Sequence, residues 1–470
     1  MKKTFFITTV LAGIICFTSC KKYLDLKPKG YVIPQTTEDF DRILNNPTMA
    51  RNIANHLDML TDDYFVKGSG KAAMEQDNSS ESRIYLWKAE IYTTPDDMKY
   101  NAFWNLLYNN AYQYNAIING IKTATGGTPA KKKVIMAKAK LGRALTFWYL
   151  VNLYTQPYQT QTAATDPGVP LITSNDIAAP LPGRGTVKET YDFILKDLQE
   201  AIPDLPVSVQ DPYQLSKAAG YSALARTYLM MGDYANAGKA ANDALSFNNN
   251  LIDYNTEYEE TDGQVFPKED GKYADMLKDP ENIFVQHYSY TRGMAYQYVS
   301  KEAVNLFDAA DLRHIYLTLE IETDPVTNKP DSNYLFMGAM SFNYNISFTS
   351  PEMLLIRAEC NARQGKVADA MDDINRLRQH RIKTTAYKTL TAADKKAATR
   401  LVLEERRREL LFRGSRWFDM RRLNSDPDFG FTARHYFQDG TSIALAPGSK
   451  RYTLFLPISA LTANIVQNPE

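Results

Sequence analysis

A repeated spacing of small residues around two turn glycines constrains this chain more than any other feature. Ala225 and Ala358 each stand seven residues before a glycine, Gly232 or Gly365, and Ala237 and Ala370 each stand five after it. Small residues at those places let two antiparallel helices, joined by a tight turn, approach closely. Capping signals bound the helices. Thr186-Val187-Lys188-Glu189 is a capping box, and Tyr191, Ile194, Leu195, Leu198 and Ile202 follow at helical spacing. Ser216 is placed to cap a run carrying Tyr221, Leu224, Ala225 and Tyr228, which stops at Gly232. Ser350, with Pro351 at the first helical position, opens a helix stopping at Gly365. Thr391 with Asp394 opens another that runs to Gly414, read as a C-cap glycine.

The pattern resembles the tetratricopeptide (TPR) helix–turn–helix over Tyr221–Leu245, and more weakly over Leu354–Leu377. The copies are 133 residues apart (365 − 232), so no regular solenoid is expected. Val134–Tyr154 has an apolar face and is expected to pair with Thr186–Ile202. The predicted fold is mainly α: TPR-like pairs forming a helical scaffold, with long irregular loops and little β structure. The long polar stretches are Thr155–Gly185, Asn248–Asn282, Glu320–Asn345 and Asn424–Arg451. Loops of this length in a compact protein usually carry function, and the binding surface is expected there.

The N-terminus reads as an export signal. Lys2 and Lys3 precede an apolar run from Phe5 to Phe17, too short for a stable membrane span, and Phe17-Thr18-Ser19-Cys20 ends it. That order resembles the lipobox of bacterial lipoproteins, with Phe17 where Leu or Val is commoner. Residues 1–19 are thus read as a cleaved lipoprotein signal peptide and Cys20 as the lipidated mature N-terminus; an ordinary secretory signal is the alternative. Several acyl chains on one cysteine would anchor the chain firmly, where a single chain holds only marginally. Residues 20–34, with Pro28, Gly30 and Pro34, read as a tether. The remainder divides into 35–270 and 271–470, expected to pack as one compact unit.

Composition narrows the function. The chain is 44% hydrophobic and 23% charged, a globular balance. Basic and acidic residues number 54 each, and cleavage would remove Lys2 and Lys3, leaving a net charge near −2. Nucleic-acid binding calls for a basic face and is not expected. Of Cys16, Cys20 and Cys360, only Cys360 would remain as a thiol, on an apolar helix, so no disulfide is expected. The five histidines are isolated, and no HExxH, CxxC, Walker loop, GxGxxG or GxSxG motif occurs. No metal, cofactor or catalytic residue is therefore assigned. The acidic loop around Gly263 has Tyr258 where a calcium loop would place an acid.

Aromatics are the most plentiful binding chemistry: 30 Tyr, 21 Phe and 4 Trp. A ring face offers apolar area to the CH face of a sugar, and a tyrosine hydroxyl adds a polar handle. Trp104 and Trp148 sit on apolar helices and read as core. Trp87 lies in Tyr85–Tyr92, a strand-like segment, where either role is open. Tyr288 and Tyr290 alternate on one face, followed by Tyr296 and Tyr298. Core packing suits most of these rings. Trp87, Tyr288, Tyr290 and Tyr296 are the candidates for a sugar platform.

The C-terminal third carries a longer signature. Glu405-Arg406-Arg407-Arg408-Glu409-Leu410 leads into Gly414-Ser415-Arg416-Trp417-Phe418-Asp419-Met420-Arg421-Arg422. Upstream stand Arg143-Ala144-Leu145, Phe147-Trp148-Tyr149, Asn152-Leu153-Tyr154 and Gly168-Val169-Pro170-Leu171; downstream stand Leu355-Ile356-Arg357-Ala358-Glu359, Leu456-Pro457-Ile458 and Gln467-Asn468-Pro469. In that order, with the lipobox, these resemble the SusD/RagB family of outer-membrane nutrient-binding lipoproteins of the Bacteroidetes over essentially the whole chain. Arg413 departs from the family's usual Glu, and the tail between Ile458 and Gln467 is short. The resemblance implies a surface-exposed outer-membrane protein that captures a glycan or oligosaccharide without catalysis. It also implies a partner, a TonB-dependent SusC-like barrel. Peptide cargo within the same family, an exported glycoside hydrolase and a TPR-type scaffold are the alternatives. Read from the residues alone, the signature is a salt-bridged surface: Glu404 with Arg408 and Glu409 with Arg413 are i,i+4 pairs, and Trp417 and Phe418 anchor the turn.

Overall fold

The structure, a computed structural model, describes residues 34–46, 49, 51–54, 56–66, 70–77, 79–91, 93, 103–176, 178–261, 264–268, 271, 275–289, 298–313, 321–323, 330–335 and 345–469. The described chain is mainly helical. Nine helices carry the architecture: α1 (Trp104–Gly120), α2 (Pro129–Tyr154), α3 (Val187–Ala201), α4 (Lys217–Met230), α5 (Tyr234–Leu245), α6 (Ser350–Arg363), α7 (Val367–Gln379), α8 (Lys395–Glu409) and α9 (Arg416–Asn424).

The capping signals set the helix starts. The Thr186 hydroxyl accepts from the Glu189 amide at 3.1 Å, and the Glu189 carboxylate accepts from the Thr186 amide at 2.8 Å. Ser216 caps α4 and Asp394 caps α8. At α6 the cap is Thr349, one residue before the expected Ser350, which is itself the first helical residue. The fourth predicted helix does not run unbroken to Gly414: α8 stops at Glu409, and Phe412 (φ 53°) and Gly414 (φ 68°) turn the chain into α9. Thr186→Ala should remove about 1 kcal/mol of stability, the usual worth of a capping hydroxyl. Urea titration beside Thr186→Ser, which keeps the hydroxyl, measures it; equal midpoints for wild type and the Ala variant would show the box to be idle.

Gly232 (φ 72°) and Gly365 (φ 80°) make the two turns in left-handed backbone. Ala225, Ala237, Ala358 and Ala370 are all fully buried where the paired helices meet. Sequence separation misleads about their placement. The α4–α5 and α6–α7 pairs stack directly on one another, and a Cβ added to Gly238 on α5 would sit 3.0 Å from Cys360 on α6. The stack continues from α1 through α2 and α3 into α4, and α8 closes it against α6 and α7. The expected α2–α3 partnership is present. Residues 246–349 are an insertion between adjacent repeats.

Strands are short. Twelve, β1 to β12, form six two-stranded sheets among the described residues. Those used below are β1 (Arg51–Ala54), β2 (Tyr64–Phe65), β6 (His287–Ser289), β7 (Tyr298–Val299), β11 (Ala433–Tyr436) and β12 (Ser442–Leu445). One contiguous apolar core draws on residues from Leu57 to Ile465. The tail returns to the end of α2: Asn468 donates to the Tyr154 carbonyl, Leu454 donates to the Leu153 carbonyl, and the Thr453 hydroxyl donates to the Thr155 carbonyl.

Candidate functional site

The signature expected as a salt-bridged surface is buried. Glu405, Glu409, Arg406, Asp419 and Arg421 are all core residues. Glu404 does pair with Arg408, at 3.8 Å. Glu409 hydrogen-bonds arginines remote in sequence: Arg381 Nη2 donates to it at 2.8 Å and Arg313 Nη1 at 2.8 Å. Arg381, 0% exposed, also donates to Glu281 at 2.7 Å and to the Ile252 carbonyl at 2.7 Å, with its guanidinium 4.2 Å from the Tyr254 ring centroid. Arg313 binds Asp311 and Glu405 as well. Burial pushes the Glu405 pKa up, but Arg313, Arg408 and Arg378 outweigh it and hold the carboxyl at about 2. The inward acids of α8, with Arg381 and Arg313, thus fasten the insertion near residues 252, 281 and 313 to the helical stack.

A second buried cluster lies at Ser300 and β7, just after the candidate tyrosines in the chain. Arg416 makes a two-pronged bond to Asp62, 2.8 Å on each arm, and Arg407 binds Asp63 at 2.6 and 2.8 Å. Burial works to raise the Asp62 pKa, and Arg416 and Arg407 lower it below the usual range. The main chain of the same two aspartates holds Ser300: its amide donates to the Asp63 carbonyl and its hydroxyl to the Asp62 carbonyl, both at 2.7 Å. Beside it β2 pairs with β7 in antiparallel register, Tyr64 opposite Val299. Upstream, β6 pairs in parallel with β1, Arg51 opposite His287. The described strands on either side, β6 and β7, are thus each paired with the N-terminal segment.

Tyr288 lies within β6, with its side chain outside the described residues; Cys20, Tyr290 and Tyr296 also lie outside them. Trp87 differs from expectation. The segment is not a strand: a helix, Ser80–Tyr85, ends there, and Trp87 turns with φ 49°. The indole is 7% exposed, donates to the Leu60 carbonyl at 2.9 Å and stacks on His435 with centroids 3.9 Å apart. Little of either ring face remains for a sugar, because burial against His435 satisfies the aromatic surface internally. Tyr85 stacks on His435 too, at 4.1 Å and 3°. The imidazole is fully buried, Nδ1 2.6 Å from the Tyr85 carbonyl oxygen and Nε2 2.7 Å from that of Thr61.

Sequence reading missed Asp62, Asp63, Arg313, Arg381 and His435 as organisers of this region. One signal was present for His435: Ala433 and His435 alternate inward along β11 while Arg434 points out. Among the described residues no group of three or more His, Cys, Asp or Glu is placed to hold a metal ion, and no helix is long and apolar enough to cross a membrane.

Two family models match the chain. One, SusD-like and described as starch-binding and associating with the outer membrane, matches residues 22–229; the second, for the SusD family, matches residues 350–456. The chain belongs to the SusD/RagB family. A SusD-like protein P2 from Formosa agariphila is 24% identical, over 88% of this chain and 90% of its own length. The SusD/RagB fold is evident in solved structures as well. A SusD superfamily protein from Bacteroides thetaiotaomicron superposes with a TM-score of 0.70 at 21% identity, covering 93% of this chain and 100% of that one. A laminarin-binding SusD-like protein superposes with a TM-score of 0.63 at 17% identity, covering 93% and 99%. The two matched regions include Asp62, Asp63, Arg407 and Arg416, so the buried cluster joins the two ends of the SusD/RagB signature.

Proposed function

We propose that this SusD/RagB protein is a lipid-anchored, surface-exposed binding protein of the outer membrane, which captures a glycan or oligosaccharide and passes it to a TonB-dependent SusC-like barrel. The observation that carries the reading is the match along nearly the whole chain to a laminarin-binding SusD-like protein, joined to a family model described as starch-binding. The strands on either side of the tyrosine-rich stretch add physical support: β6 pairs with β1 and β7 with β2, and fixed flanks lower the cost of ordering what lies between them on a ligand. Tyr288, Tyr290 and Tyr296 are the contact residues we assign, and Cys20 is the lipid attachment point. Trp87 serves the site from below, as part of its support.

Calorimetry against laminarin, starch and a wider glycan panel tests this. Binding should be modest and nearly independent of salt, since a neutral sugar brings no ion pair to screen. Tyr288→Ala should weaken it roughly tenfold, about 1.4 kcal/mol. A response to peptides alone, or release of reducing sugar by pure protein, would overturn the glycan-binding reading. Cys20→Ala should release the protein from the membrane fraction; retention as firm as wild type would remove the anchor.

A further inference from the structure

The His435 ring sits between two groups that can only accept. Both nitrogens lie at hydrogen-bond distance from backbone carbonyl oxygens, Tyr85 at 2.6 Å and Thr61 at 2.7 Å. A neutral imidazole has a single N–H. In either tautomer the other nitrogen would press its lone pair against a carbonyl lone pair inside normal contact distance. The imidazolium donates from both nitrogens and satisfies both carbonyls. Its faces are covered by the Tyr85 and Trp87 rings, at 4.1 and 3.9 Å, which favour a cation between them.

We infer that His435 is held as a buried imidazolium, a cationic latch that fastens the β11–β12 hairpin to Thr61 and Tyr85 and releases one of its two bonds when it loses a proton. The latch bears on binding because Thr61 leads into Asp62 and Asp63, whose carbonyls hold Ser300 at the end of the tyrosine segment. That consequence rests on the glycan-binding reading; the protonation itself does not.

Charged groups face this region from several elements. Asp62 is the carboxylate that acts on the imidazole, and Arg416 and Arg407 in turn hold Asp62. Asp58 and Glu81 act on the neighbouring Tyr64 hydroxyl, and Glu302 acts on Tyr85 and Tyr436. Arg434, beside His435 on β11, points outward. Burial opposes the charge most strongly; the two carbonyls and Asp62 pull the other way, and together these influences leave the ring below 6.5, at about 4, against which the paired acceptors on its two nitrogens stand.

The two states predict opposite stability profiles. A ring still charged above 6.5 in the folded protein contributes stability that is present below that pH and lost as pH rises through the folded value. A ring depressed to about 4 contributes stability present above 6.5 and lost as pH falls toward 4. Nitrogen NMR of histidine-labelled protein reads the charge directly. At pH 7.5 the buried ring, identified by its slowly exchanging N–H protons, should show both nitrogens protonated, and the thermal midpoint of wild type should fall with rising pH relative to His435→Gln. One protonated and one bare nitrogen at pH 7.5 would overturn the latch, even if His435→Gln fails to fold. Weakening of glycan binding from pH 7 to 9 in wild type extends the latch to function. Unchanged affinity over that range would cut the link to binding and leave the NMR result standing.

Discussion

Arg381→Ala should remove about 3–5 kcal/mol of folding stability, the cost of leaving buried carboxylates without their partner. Arg381 is fully buried and serves four groups at once: Glu409, Glu281, the Ile252 carbonyl and the Tyr254 ring. Truncation strands Glu281, whose remaining described bond is from the Ile252 amide, and takes from Glu409 the arginine that acts on it most strongly, leaving Arg313 at 2.8 Å. The effect is larger than for an exposed pair, where solvent and salt screen the charges. Guanidinium chloride titration measures it, and a loss under about 1 kcal/mol would place Arg381 with the exposed pairs. A pH profile adds a check with a definite sign. Glu405 has its carboxyl held at about 2 against an ordinary 4.5, so its contribution is present above 4.5 and is lost as pH falls from 4.5 toward 2.

Trp417→Ala should cost a similar amount, about 3–5 kcal/mol, for a different reason. The indole is fully buried and stacks on Tyr452 with centroids 5.6 Å apart, so truncation empties a large core volume. Trp417→Phe keeps an aromatic filling and should cost distinctly less. A denaturation midpoint unmoved by the Ala change would refute the burial.

These two sites mark what was legible in the chain and what was not. Trp417 was read as an anchor because a bulky ring directly after a turn glycine has few other uses. The helix starts at Thr186 and Ser216, and the alanines around Gly232 and Gly365, were legible because their logic is local: a cap or a close helix crossing is specified within a dozen residues. The arginines of the signature were misread because i,i+4 reasoning sees only its own helix. Arg416 finds Asp62 across 354 positions and Arg407 finds Asp63 across 344. No period or spacing in the sequence encodes such a pairing. Trp87 failed for a related reason: alternating aromatics fit a strand, while a left-handed turn against His435 depends on a hairpin some 350 residues downstream. The tyrosines of the insertion carry no pattern that separates a ligand platform from a core face.

The bonds between the tail and the end of α2 separate the order in which this chain is made from the order in which it can fold. α2 is complete once residue 154 exists, and Arg184 is an early partner for the Tyr154 carbonyl, yet Thr453, Leu454 and Asn468 reach the same helix end only with the tail, the last of them 314 positions later. Long-range closures of this kind make folding slow and late. Helices α1 to α5 have packing partners within the first 245 residues, so the seam between the tail and the end of α2 is the part of the fold that closes last.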